Sequence, residues 1–240
     1  MKEQLYTIPV NDAFAEDSEC PICMMYRELE KNAVDFTMGP SYMEDDIRME
    51  TDKIGFCTEH TRKLLKKENK LGLSLVLHTH MMKTSKDIEE LAKSATGKSS
   101  LFKKKDISGL TNYLKKLNTS CYVCNKIEDT FHRYIRTVHY LWANDENFRT
   151  KYERSKGFCV AHYEALITQA QTNLSGAKLD EYIESTTRIY LENMRRVEGD
   201  LEWFINKYDY RYKDEPWKNS KDALPRSVTK TATMEGNVEE

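Results

Sequence analysis

An all-α protein built from a duplicated helical unit is the class this sequence predicts, and three observations predict it. Helical periodicity runs through nearly the whole chain while strand alternation is nearly absent. A Cys-x-x-Cys pair followed at a distance by Gly-Phe-Cys-x-x-His occurs twice, as Cys20, Cys23, Cys57 and His60 and again as Cys121, Cys124, Cys159 and His162. The copies are displaced by 101 residues at the first pair and 102 at the second, and together they use all 6 cysteines of the chain.

Residues 1–17 form an N-terminal segment, and the first helical unit is expected over 18–93. Asp17 and Ser18 stand where an N-cap would open its first helix, which should run to about Phe36 before Gly39-Pro40 breaks it. A short helix from Tyr42 to Thr51 then leads to Gly55, and the Cys57/His60 helix continues through Leu64 and Leu65; Leu71 to Leu91 reads as a further amphipathic helix. Residues 94–118 hold a polar linker and a short helix. The second unit, 119–176, repeats the path from Cys121 through Trp142, across Asn144 to Tyr152 and on from Cys159.

A long helix is expected within 177–212, where Tyr190, Met194, Val197, Leu201, Phe204 and Tyr208 make one apolar seam that must be covered. It is expected to pack across both metal units as the spine of one core, the alternative being a homodimer through residues 179–208. Residues 213–240 read as a polar tail, with an arm docking around Trp217 and a disordered end after about Ser227.

The repeat extends beyond the cysteines. Glu44-Asp45-Asp46-Ile47-Arg48 falls opposite Asp145-Glu146-Asn147-Phe148-Arg149, Val34 opposite Ile135, and Ile22 opposite Val123, all at the offset of 101. The extra residue of the second copy lies between Arg149 and Gly157. Gly55 and Gly157 are expected as left-handed helix C-caps, with Phe56 and Phe158 packed beside the sites.

Metal binding explains the spacing. Sulfurs held at roughly 2.3 Å from a tetrahedral zinc lie less than about 4 Å from one another, and residues at i and i+3 of a helical turn can supply one edge of that tetrahedron. Pro21 suits an early helical position just after Cys20. Three thiolates and one imidazole form a closed structural set, so each copy is expected to be clamped by its own Cys3His zinc, two per chain. A crossed arrangement, with Cys20 and Cys23 joining Cys159 and His162, satisfies the same counting. An iron–sulfur cluster is the alternative cofactor, whereas covalent haem is excluded because Met24 and Asn125 occupy the position its histidine would need.

Those motifs, Glu19-Cys20-Pro21-Ile22-Cys23, Gly55-Phe56-Cys57-Thr58-Glu59-His60, Cys121-Tyr122-Val123-Cys124 and Gly157-Phe158-Cys159-Val160-Ala161-His162, resemble those of a bacterial family of unknown function that carries duplicated Cys-x-x-Cys and Gly-Phe-Cys-x-x-His units. The resemblance covers about residues 18 to 215. It implies an all-helical, metal-binding protein with no activity to carry over.

Composition narrows the partners. With 37 Lys and Arg against 39 Asp and Glu, the formal net charge is −2, and thiolate-bound zinc would add about −1 per site. General nucleic-acid binding therefore lacks its electrostatic footprint. No apolar signal core opens the chain and no run of about 18 apolar residues occurs, so a cytoplasmic location is expected, where reduced cysteines ligate metal rather than pair.

Other features read as structural. Lys98-Ser99-Ser100-Leu101-Phe102-Lys103-Lys104-Lys105 is a solvated connector lacking a phosphate-binding loop, and His78 and His80 cannot share a helical face. His132 and His139 could share one, as a minor third-site alternative. The function these signs favour is non-enzymatic: two zinc clamps shaping a helical surface for another protein or a small ligand. The alternatives are a thiol-based redox or metal sensor and an uncharacterised enzyme, for which no catalytic motif is present.

Overall fold

The computed structural model describes residues 6–96 and 106–232, and among these the chain forms eleven α-helices and no strand. They are α1 (Thr7–Ala15), α2 (Pro21–Met38), α3 (Asp45–Ile54), α4 (Thr58–Lys66), α5 (Lys70–Thr96), α6 (Ser108–Thr119), α7 (Tyr122–Asn144), α8 (Glu146–Arg154), α9 (Val160–Asn173), α10 (Gly176–Asn206) and α11 (Ala223–Ala232). Single 3-10 turns lie at Pro40–Met43 and Tyr210–Tyr212.

The helices form two compact units that do not coincide with the two sequence copies. The first comprises Met1–Glu28 and Thr130–Glu240, the second Leu29–Asp129. Both divisions fall inside helices, one in α2 and one in α7.

In the first unit α1 packs on α8, and α10 packs on α8, α9 and α11. Phe14, Phe148, Tyr152 and Phe158 form an aromatic nucleus, with the Phe14 ring 5.4 Å from Tyr152 and 5.1 Å from Phe148. All four are buried. Ring quadrupoles favour such contacts, stacked for Phe14 on Tyr152 and edge-on for Phe14 against Phe148. At the centre, Tyr152 Oη donates to Tyr182 Oη at 3.0 Å and meets Thr186 Oγ1 at 2.8 Å, so buried hydroxyls satisfy one another. Fully buried Tyr182, Thr186 and Ile189, with Val197 two turns further along, carry the packing of α10. Its principal neighbours, α8, α9 and α11, belong to its own unit. Of the seam foreseen on this helix, Val197 is buried, whereas Tyr208 is 77% exposed.

The stretch after Tyr210 is more ordered than its composition indicated. Trp217 docks on α10, its ring 6.0 Å from Phe204, and Trp203 Nε1 donates to the Pro216 carbonyl at 3.0 Å. α11 then runs to Ala232, so the expected disorder after Ser227 is corrected as far as that residue. Ala223, Thr229 and Lys230 are its buried contacts. In the second unit α5 packs on α3, α4 and α6. It extends to Thr96, so Ser94 to Thr96 are helical rather than linker; Lys98 to Lys105 lie outside the described residues.

Candidate metal centres

Each of the four ligand pairs straddles the start of a helix. Cys20 and Cys121 immediately precede α2 and α7, Cys57 and Cys159 are the N-caps of α4 and α9, and the second donor of each pair sits one turn further in. Cys57 and Cys159 are extended, with φ of −70° and −77°. Their carbonyls accept from Thr61 N at 2.9 Å and Tyr163 N at 2.8 Å. This geometry turns an i, i+3 spacing into two side chains aimed at one point, and the positive helix terminus favours thiolate there. Pro21 occupies the first helical position of α2, as expected. The expected N-caps do not form: α2 opens three residues after Ser18, whose hydroxyl is buried without a hydrogen-bond partner among the described residues.

The eight candidate ligands fall into two groups, and the pairing is crossed. Cys20 and Cys23 meet Cys159 and His162, while Cys57 and His60 meet Cys121 and Cys124. The first group lies wholly in the first unit and the second wholly in the second. The expectation that each sequence copy clamps itself is thereby corrected. Helix packing assigns the Cys-x-x-Cys of either copy to the Cys-x-x-His of the other.

In both groups the donors converge within 4.8 Å of one another. His162 Nδ1 lies 3.5 Å from Cys20 Sγ, 3.2 Å from Cys23 Sγ and 3.3 Å from Cys159 Sγ, with Cys23 and Cys159 sulfurs 3.7 Å apart. His60 Nδ1 lies 3.2 Å from Cys57 Sγ, 3.4 Å from Cys121 Sγ and 3.3 Å from Cys124 Sγ, with Cys57 and Cys124 sulfurs 4.0 Å apart. Each imidazole thus turns Nδ1 to the sulfurs and leaves Nε2 for its surroundings.

Without a cation such thiols cannot all ionise together. Burial pushes Cys20 and Cys124 up to about 12, and hydrogen bonding with Cys159 and Cys20 raises Cys23 far above an ordinary thiol. One thiol in each group moves the other way: hydrogen bonds from Cys20 and Cys23 hold Cys159 well down, and at Cys121 burial is outweighed by the combined hydrogen bonds of His60, Cys124 and Cys57, giving about 6. A bound dication stabilises all three thiolates at once.

The surroundings of the two groups differ at equivalent sequence positions. Glu30 Oε1 lies 3.1 Å from His60 Nε2, and Lys63 Nζ pairs with Glu30 Oε2 at 2.5 Å. Burial acts to lower the His60 pKa, but hydrogen bonds with Cys121 and Glu30 outweigh it and raise it to about 10. The position 101 beyond Glu30 is Phe131, whose ring lies 5.5 Å from that of His162, with Tyr26 at 5.9 Å. One imidazole is held by a carboxylate, the other by aromatic faces. The carbonyl of Ile54 accepts from Ser120 Oγ at 2.8 Å, whereas its counterpart, the Lys156 carbonyl, accepts from Lys230 of α11. Lys230 Nζ also reaches the Glu19 carbonyl at 2.6 Å and Glu19 Oε2 at 3.2 Å, and Arg196 pairs with the same carboxylate. A buried ammonium tied to the residue before Cys20 places positive charge close enough to Cys20 to interact with it electrostatically.

None of these surrounding residues was evident in the sequence. The repeat reveals what the copies share, and Glu30, Lys63, Phe131 and Lys230 are where they differ; Lys63, one turn beyond His60, carried the only local signal.

Gly55 has φ of 67° and ψ of −155° as the C-cap of α3, outside the left-handed helical region expected for it. Gly157, with φ of 81°, lies two residues past the Ser155 C-cap of α8 rather than at it. Phe158 is fully buried beside Cys159, while Phe56 is half-buried, 6.4 Å from the Tyr122 ring. Among the described residues no metal-ligand group includes His132 or His139. His139 is buried, with Nε2 3.0 Å from the Leu166 carbonyl and Nδ1 2.8 Å from Asn173 Nδ2. His80 Nδ1 lies 2.8 Å from the Asp52 carbonyl.

The chain belongs to DUF6062, a family of unknown function whose model matches residues 1–238. Neither a curated protein nor a solved structure matches it. Among the described residues no helix is long and apolar enough to cross a membrane.

Proposed function

From membership of a family without an assigned activity and from the two donor groups, we propose a non-enzymatic zinc protein, in which two structural Cys3His sites hold helical surfaces that meet another protein or a small ligand. The observation that carries this reading is the convergence of three sulfurs and one imidazole nitrogen within 4.8 Å in each unit. Around zinc, with sulfur at about 2.3 Å and nitrogen at about 2.0 Å, tetrahedral edges run about 3.5 to 3.8 Å. Sulfur separations of 3.7 and 4.0 Å and sulfur–nitrogen separations of 3.2 to 3.5 Å are close to these edges. A cluster of two or four irons interposes inorganic sulfides and spreads its ligands wider, so the compact donor sets favour a single ion over the iron–sulfur alternative.

Four protein ligands per ion leave no coordination position for a substrate or reactive water, which is the pattern of a structural site. Binding free energy at such sites is folding free energy. Elemental analysis of protein purified without added metal should give two zinc per chain, with Cys23→Ser and Cys124→Ser each removing one. Stripping the metal should lower the melting temperature and the helical circular dichroism. A metal-free sample with unchanged melting refutes the structural role, and iron in place of zinc refutes the metal assignment.

A further inference from the structure

The two donor groups are chemically alike but not equally reachable. Cys20, Cys23, Cys159 and His162 are all buried, at 0, 5, 0 and 5% exposure. The rings of Tyr26 and Phe131 lie tilted against the imidazole at 5.9 and 5.5 Å, and Lys230 of α11 ties together the carbonyls of Glu19, next to Cys20, and of Lys156. In the other group Cys121 and His60 are buried, but Cys57 and Cys124 are partly open to solvent. The open sulfurs are also neighbours, 4.0 Å apart on the starts of α4 and α7.

We propose that Cys57 and Cys124 form an oxidation site at which a peroxide expels the metal from one cluster while the other stays loaded. The inference rests on the zinc reading above and adds a chemical division between its two ions. One thiolate attacks a peroxide oxygen, the O–O bond breaks, and a sulfenic acid and hydroxide form. The second thiolate attacks the sulfenic sulfur, an S–S bond forms and a second hydroxide leaves. The two sulfurs together lose two electrons, hydrogen peroxide takes them, and two protons from solvent complete two waters. The sulfurs must close from 4.0 Å to about 2.05 Å. Zinc is then left with Cys121 and His60 alone and dissociates. In the first group no pair of sulfurs offers a reagent the same access, because all three are buried.

The test is limiting hydrogen peroxide added to the zinc-loaded full chain, with released zinc read by a chromogenic chelator and the oxidised cysteines mapped by mass spectrometry. One zinc per chain should leave at least about tenfold faster than the second, as expected where exposure governs thiolate reactivity. Cys57 and Cys124 should appear as the disulfide, and a thiol reductant with added zinc should restore the site. Lys230→Met should speed loss from the Cys20 cluster and leave the rate at the Cys57 cluster unchanged. Both ions leaving at one rate, or oxidation of Cys20, Cys23 or Cys159 first, overturns the division. Folded protein that holds no zinc before peroxide is added refutes the metal reading itself.

Discussion

Gly55→Ala should destabilise the protein by about 2–4 kcal/mol, a sum of two effects at one position. The backbone there has φ of 67° and ψ of −155°, a region that side-chain-bearing residues avoid at a cost of about 1–3 kcal/mol. A Cβ at that position would lie 2.6 Å from His80 Nε2 and 2.7 Å from its Cε1. The ring cannot swing away freely, because Nδ1 is held 2.8 Å from the Asp52 carbonyl; losing that hydrogen bond adds about 1 kcal/mol. The strain lands beside the candidate metal donors. Gly55 O accepts from Tyr122 N at 2.9 Å and Ile54 O from Ser120 Oγ at 2.8 Å, so the two carbonyls register the start of α4 against the start of α7. Urea unfolding of the metal-loaded chain measures the loss. Gly199→Ala, in the middle of α10 with nothing within 4 Å of the added methyl, is the internal comparison and should stabilise by about 0.5–1 kcal/mol. If Gly55→Ala falls within about 0.5 kcal/mol of the parent protein, the strain-and-clash account is wrong.

The remaining predictions concern the surroundings of the donors and the core. Glu30→Gln removes the carboxylate from His60 Nε2 and should weaken zinc at the Cys57 cluster about 10- to 100-fold in chelator competition, with the Cys20 cluster unchanged. His139 is held neutral by burial, its pKa lowered from 6.5 to about 4. The unfolded chain therefore binds the extra proton first as pH falls, and stability fully present above pH 6.5 is lost toward pH 4. That loss is about 3 kcal/mol at most, and His139→Gln should flatten the stability profile across this window by a similar amount. An unchanged slope would show that His139 does not carry this loss. Tyr152→Phe leaves Tyr182 and Thr186 with an unmet partner in the core and should cost about 1–2 kcal/mol in thermal unfolding. A neutral result would mean that the two hydroxyls re-pair with each other.

Elements with strong local signals were legible, and those whose order comes from docking were not. The ends of α2 at Gly39-Pro40 and of α3 at Gly55 follow from breaker residues, and α10 follows from its apolar period. The N-termini were less legible: Asp17 and Ser18 had the composition of a cap, yet α2 waits for Pro21, because Cys20 must stand outside the helix for its sulfur to reach the same point as Cys23. α11 was missed because only Ala223, Thr229 and Lys230 among its residues are buried, and the one with the most telling role is charged. A lysine in a polar tail looks solvated until two carbonyls are found to need it.

Residue types and their spacing alone determined the helical class and the eight candidate donors, because a Cys-x-x-Cys or Cys-x-x-His turn aims both its side chains without help from the rest of the chain. Which turn faces which was decided only in three dimensions. The two candidate partners of Cys20 and Cys23 are chemically the same pair, so no local property distinguishes them, and the choice falls to the packing that brings the start of α2 against the start of α9. The same holds for the environment of each candidate site: one sequence position carries Glu30 in one copy and Phe131 in the other, and only the fold turns that difference into one carboxylate-held and one ring-flanked histidine.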